Sequence, residues 1–172
     1  PLYAAIGEAR LLEGKPVEAR EAFDQAKTYL GDRMNSVGLA NAAVLENDTY
    51  EAFVNYGGIS SAQELGETLS LLDRLAALLP AQSSNIKAFV PRLREAFLGN
   101  HPTITAAETN YWEATYQMSY FSGQNRWDSA LVWSSLAMKN MSAIRSNETD
   151  AELWAESWHS LRITHVFYML NA

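Results

Sequence analysis

The sequence predicts an all-α protein, a stack of antiparallel helical hairpins finished by a C-terminal capping helix. Three observations lead there. Apolar residues recur at three- and four-residue steps, as in Leu65, Leu69, Leu72, Leu75, Leu78 and Leu79. Turn-forming clusters interrupt them at helix-length intervals: Gly14-Lys15-Pro16, Asn47-Asp48-Thr49, Gly57-Gly58, Gly99-Asn100-His101-Pro102 and Ser122-Gly123. Gly7 and Ala19 are small where two antiparallel helices must approach closely, while Phe23 and Ala26 offer a large and a small side chain to the next pair. One hairpin cannot bury its own apolar face, so the rest of the chain has to supply neighbours.

In order, the first helix spans about Leu2 to Glu13 and the second about Pro16 to Leu30, with Pro early in the helix and Gly31 after it. Met34 to Glu46 and Tyr50 to Tyr56 form a second pair, cut short by Gly57-Gly58, where a domain boundary is expected. Ser60-Ser61-Ala62-Gln63-Glu64 reads as a cap with an acidic first turn, opening a leucine-patterned helix that ends at Pro80. Ser83-Ser84 caps the next, with Ile86, Phe89, Val90, Leu93 and Phe97 on one side and Pro91 as an expected kink. A helix from about Thr105 to Phe121 and another from Trp127 to Arg145 follow. The polar break Ser146 to Asp150 precedes the last helix, Ala151 to about Leu170, which sets Trp154, Trp158, Leu161, His165 and Tyr168 along one stripe, as a closing helix would. All five Trp residues fall at or after Trp112.

The opening hairpin has a further pattern: Tyr3-x2-Ile6-Gly7, then Ala19-x3-Phe23-x2-Ala26. This spacing resembles the tetratricopeptide repeat (TPR) family over residues 2–31, with Tyr3 where the repeat usually has Trp, and Arg10 and Gly31 where it usually has Tyr and Pro. The likeness continues in degenerate form over 33–58, through Leu39, Ala40, Ala52 and Tyr56, and loosely over 108–142, through Phe121, Trp127, Ala130 and Ala137. It implies an α-solenoid organised as TPR-like hairpins over 1–58 and further hairpins with a closing helix over 59–172, one continuous domain.

Composition narrows the function classes. At 172 residues and 48% hydrophobic content the chain can bury a sizeable core. A net charge of −7 without any Lys/Arg run argues against a nucleic-acid partner, which would need a basic patch to displace counterions. The absence of Cys excludes disulfides, a thiolate nucleophile and Cys-based zinc, leaving the compartment undetermined. No apolar run reaches the roughly 18 residues of a membrane-spanning helix, so membrane insertion is not expected. Pro1 in place of Met suits a processed chain or a piece of a longer one.

Candidate chemistry is sparse. Glu156 and His159 have the Glu-x-x-His spacing of a helical metal ligand pair, but one copy stands where a di-metal bundle needs two plus further carboxylates, so a helix-surface pair is the simpler reading. Phosphate-loop, zincin and G-x-S-x-G motifs are missing, and no cofactor is implied. Trp112, Tyr116, Trp127 and Trp158 could line an aromatic ligand pocket, although helical spacing suits core packing better. Asn47, Asn140 and Asn147 each begin a glycosylation sequon, meaningful only in a secreted eukaryotic protein.

The resemblance implies that first helices of successive hairpins line a groove for a peptide or partner protein. By position, that groove takes Ala4, Glu8, Leu11 and Leu12 from the first hairpin and Val37, Asn41 and Val44 from the second. Glu8 has the wrong sign for clamping a terminal carboxylate. The expected function is therefore a protein-interaction scaffold and not an enzyme. The alternative is a solute-binding or transport-associated helical protein using the aromatic third, and the weaker one a helical enzyme or metal protein using Glu156 and His159.

Overall fold

The computed structural model describes the backbone of residues 2–30, 32–144 and 151–172, and the side chains of 2–27, 36–144 and 155–172. Gly31, the Met34 side chain, the sequon at Asn147, the polar break before Ala151 and the Trp154 side chain lie outside the described residues. Among the described residues the chain is all-α, with nine helices and no strand: α1 Leu2–Leu12, α2 Pro16–Leu30, α3 Asp32–Leu45, α4 Thr49–Tyr56, α5 Ala62–Leu78, α6 Ser83–Asn100, α7 Ala106–Gly123, α8 Trp127–Ile144 and α9 Ala151–Asn171.

Local chemistry explains the ends. Gly14 has φ +71°, a left-handed conformation that costs a residue with Cβ, and its N–H donates to Leu11 O at 3.0 Å as α1 unwinds. Pro16 then opens α2 at a position where its missing donor is not needed. The Asp48 carboxylate accepts from Glu51 N at 2.9 Å and starts α4, and the Ser61 hydroxyl accepts from Glu64 N at 3.1 Å and starts α5. α7 begins with a reciprocal capping box: Glu108 N donates to Thr105 Oγ1 at 3.2 Å, and Thr105 N donates to Glu108 Oε2 at 2.6 Å. Pro91 lies inside α6 without ending it, on the exposed side.

The chain forms two compact units, Pro1–Ser60 with Leu71–Gly99, and Ser61–Ser70 with Asn100–Ala172. The division falls within α5 and after Gly99. Gly57-Gly58 ends α4, yet the chain beyond returns to the same core. Ile59 is buried, and Phe89 of α6 packs on Phe53 and Tyr56 with ring centroids 5.0 and 5.8 Å apart.

In the first unit, α1 packs on α2, α2 on α3 and α3 on α4, and α1 also touches α3. Phe23 is the wedge. A Cβ added at Gly7 would lie 2.7 Å from its ring, and one added at Gly38 would lie 2.5 Å from it, so the ring is held between α1 and α3 by the lack of two side chains. Buried Ala19, Ala22, Ala26, Ala40, Ala42 and Ala43 let the three helices approach. Arg20 of α2 hydrogen-bonds Glu46 after α3 and Glu51 of α4, and these two carboxylates hold its proton above the ordinary arginine range. The Tyr56 hydroxyl donates to Asn41 Oδ1, satisfying two polar groups in the interior.

In the second unit, α7, α8 and α9 pack in sequence around Ala114, Met118, Ala130, Ala137, Met141, Leu161 and Tyr168. The first half of α5 meets α7 closely: a Cβ on Gly66 would lie 2.5 Å from Trp112 Cβ and 2.6 Å from Glu113 N. Gln117 Nε2 donates to Ser70 O at 3.3 Å, and Gln63 Nε2 donates to the Tyr116 hydroxyl at 3.1 Å.

α9, the last helix, packs on α8. Leu161 and Tyr168 are buried, with Trp158 and His165 half-buried, so the inward stripe is as read. The opposite side, however, carries exposed Ile163, Val166 and Leu170, flanked by Phe167 and Met169. Over these last turns α9 is apolar on both sides, while exposed Glu156 and His159 occupy the same outward side nearer its start.

Candidate functional site

Of the seven positions expected to line a groove, the structure leaves four at the surface. Glu8 and Leu12 are exposed, and Ala4 and Val37 half-buried, on α1 and α3, the two first helices that touch. The other three are corrected to interior positions. Leu11 lies one turn after Gly7 and points with it into the core, Asn41 is buried beneath its hydrogen bond from Tyr56, and Val44 is buried where the chain meets Phe89 and Ala88 of α6. Leu11 falls on the inward stripe of α1, and α3 is buried on every side from Leu39 to Leu45, a stretch that takes in Asn41 and Val44.

The other side of α1 holds a feature not singled out from the sequence. Tyr3, Ile6 and Arg10 form one wall of an open hollow of about 420 Å³, with Glu18, Glu21, Ala22 and Gln25 of α2 opposite. Tyr3 and Ile6 occupy the large positions of the opening pattern yet remain more than a third exposed. The signal in the sequence was that pattern itself, because it marks residues made to be covered by a helix.

At its polar end, Arg10 pairs with Glu13 at 2.6 Å and Glu18 at 3.1 Å, while Lys15 reaches Glu13 at 3.0 Å. Hydrogen bonds from Lys15 and then Arg10 hold the Glu13 carboxyl below the usual range, and Glu13 in turn raises Arg10. All these groups are solvated, so the network orients side chains more than it stabilises the fold.

No family model matches the chain, and neither a curated protein nor a solved structure matches it. Function therefore has to be read from the geometry.

The aromatic candidates are placed by packing. Trp127 stacks on Tyr168 at 6.1 Å and meets Phe167 edge-on at 5.7 Å, and both Trp127 and Trp158 lie against the α7–α8–α9 core. Trp112 packs on α5 through Gly66, and Tyr116 accepts from Gln63. The four thus divide between two packing surfaces, the α5–α7 contact and the α7–α8–α9 core. Trp127 also edges a polar hollow of about 320 Å³ formed with Asn125, Arg126, Asp128, Ser129 and Asn171.

Glu156 and His159 are both exposed, and among the described residues no group of three or more His, Asp or Glu side chains converges on one point. Asn47 sits at φ +63° in the turn before α4, and Asn140 Nδ2 donates to Leu136 O at 2.9 Å within α8.

One Ser–His contact appears that spacing did not reveal: Ser134 Oγ lies 2.8 Å from His165 Nδ1. It lacks the arrangement of a nucleophile and its base. Ser134 is fully buried, and its hydroxyl proton goes to Leu131 O at 2.8 Å, so the oxygen accepts from Nδ1–H.

Proposed function

We propose that this chain is a TPR-like protein-interaction scaffold whose stacked hairpins bind an extended peptide or a partner protein along α1 and α3. The observation that carries this reading is the Phe23 wedge, one large ring taken up by Gly7 of its own hairpin and Gly38 of the next. Contact between α1 and α3 supports it, since stacked hairpins bring first helices side by side. The surface offered is Ala4, Glu8, Leu12 and Val37, mildly apolar with one acid, in a chain of net charge −7. Such a surface suits a neutral or basic partner. Fold alone does not fix function, so the proposal is tested at the site. A pull-down from native extract compares wild type with Leu12→Glu and with Val54→Glu, a change at an exposed residue of α4. Loss of the same partners from Leu12→Glu alone supports the groove. Retention of every partner by Leu12→Glu overturns it.

A further inference from the structure

The outward side of α9 is an uncovered apolar surface in the second unit. Ile163, Val166 and Leu170 follow one another at three- and four-residue steps, with Phe167 and Met169 on the flanks, and the five expose between 47% and 81% of themselves. Each offers on the order of 100 Å². Together they form a patch of about 500 Å², near the upper end of what soluble monomers leave open.

From this patch we infer that α9 pairs with α9 of a second copy, antiparallel about a two-fold axis near Val166. Area argues for it. Two such faces would remove up to about 1,000 Å² of apolar surface, about what a specific interface has to clear. Charge argues for the same occupant. Two copies of a −7 chain repel, yet from Ser157 to Ala172 there is no Asp or Glu, and Arg162 is the one charged side chain besides two histidines. In the antiparallel pair the two Arg162 residues lie about 12 Å apart along the axis, at 1.5 Å per residue. That exceeds the Debye length of about 8 Å, so they do not oppose association. The pairing is isologous: Ile163 of one copy lies level with the Met169–Leu170 end of the other, and Val166 meets Val166.

The absence of cysteine from the chain makes the geometry directly testable. Sedimentation velocity across about 1–100 μM should show the 19.1 kDa chain giving way to a species of twice that mass. Leu170→Glu and Ile163→Glu, both at exposed sites, should leave the helical CD spectrum unchanged and weaken the dimer at least tenfold, while Val54→Glu should not weaken it. Under mild oxidation Val166→Cys should form a disulfide dimer, and Val132→Cys, on the exposed side of α8, should not. A chain that stays monomeric across that range overturns the proposal. So does a Val132→Cys variant that cross-links as readily as the Val166→Cys variant, and so does a dimer lost on Tyr3→Glu, which would place α1 in the interface.

Discussion

Phe23 sets the terms for the first unit because its ring has no spare volume on either side. Ala at position 7 or 38 gains about 1 kcal/mol of helix propensity over Gly but forces a methyl against a ring that cannot retreat without striking the opposite helix. We expect Gly7→Ala and Gly38→Ala each to cost about 2 kcal/mol net by urea titration. Phe23→Leu should recover part of that loss in the Gly7→Ala background, because the two positions share one contact. Tyr56 offers a second test with a sign attached. Burial raises its folded pKa above the unfolded value near 10, so its proton is bound more tightly in the native state. Its contribution is complete below about pH 10 and is lost as pH rises beyond it, by up to about 1.4 kcal/mol per pH unit. Tyr56→Phe should flatten that alkaline slope in urea midpoints. It should also cost about 1–3 kcal/mol at neutral pH, because Asn41 Oδ1 loses its buried donor.

At the scale of elements, the sequence announced most helices through chemistry that acts within a few residues. Pro16, Asp48, Ser61 and Thr105 each satisfy or dispense with orphan N–H groups where a helix begins, and each start lies within a residue or two of the position the sequence suggested. Which side of a helix meets which neighbour was less legible. Leu12 and Leu11 are chemically alike and adjacent, yet one is exposed and the other buried, because only the direction toward Gly7, α2 and α3 separates them. The tie between α2 and α4 was unreadable, since Arg20, Glu46 and Glu51 are up to 31 residues apart. Replacing Arg20 with Met removes that partly exposed clamp and should cost about 1 kcal/mol after screening, a fall of about 2–4 °C in Tm by calorimetry. In about 1 M salt the difference should shrink.

For the whole molecule, the two units have separate signatures. All five Trp residues belong to the second, so tryptophan emission reports that unit while far-UV CD reports every helix. Gly66→Ala drives a Cβ into Trp112 Cβ and the Glu113 backbone, neither of which can rotate away. It should cost about 3 kcal/mol and lower the fluorescence midpoint in urea. By itself the sequence determined the all-α class, the sites of most helix ends and the small-large-small opening pattern, because periodicity, caps and breakers act over one to two turns. Only the tertiary structure decided that Leu11, Asn41 and Val44 lie inside. It alone divided the units within α5, and it alone left the last turns of α9 apolar on both sides. Those outcomes depend on which surfaces meet across long stretches of chain, and burial is a property of the neighbour as much as of the residue.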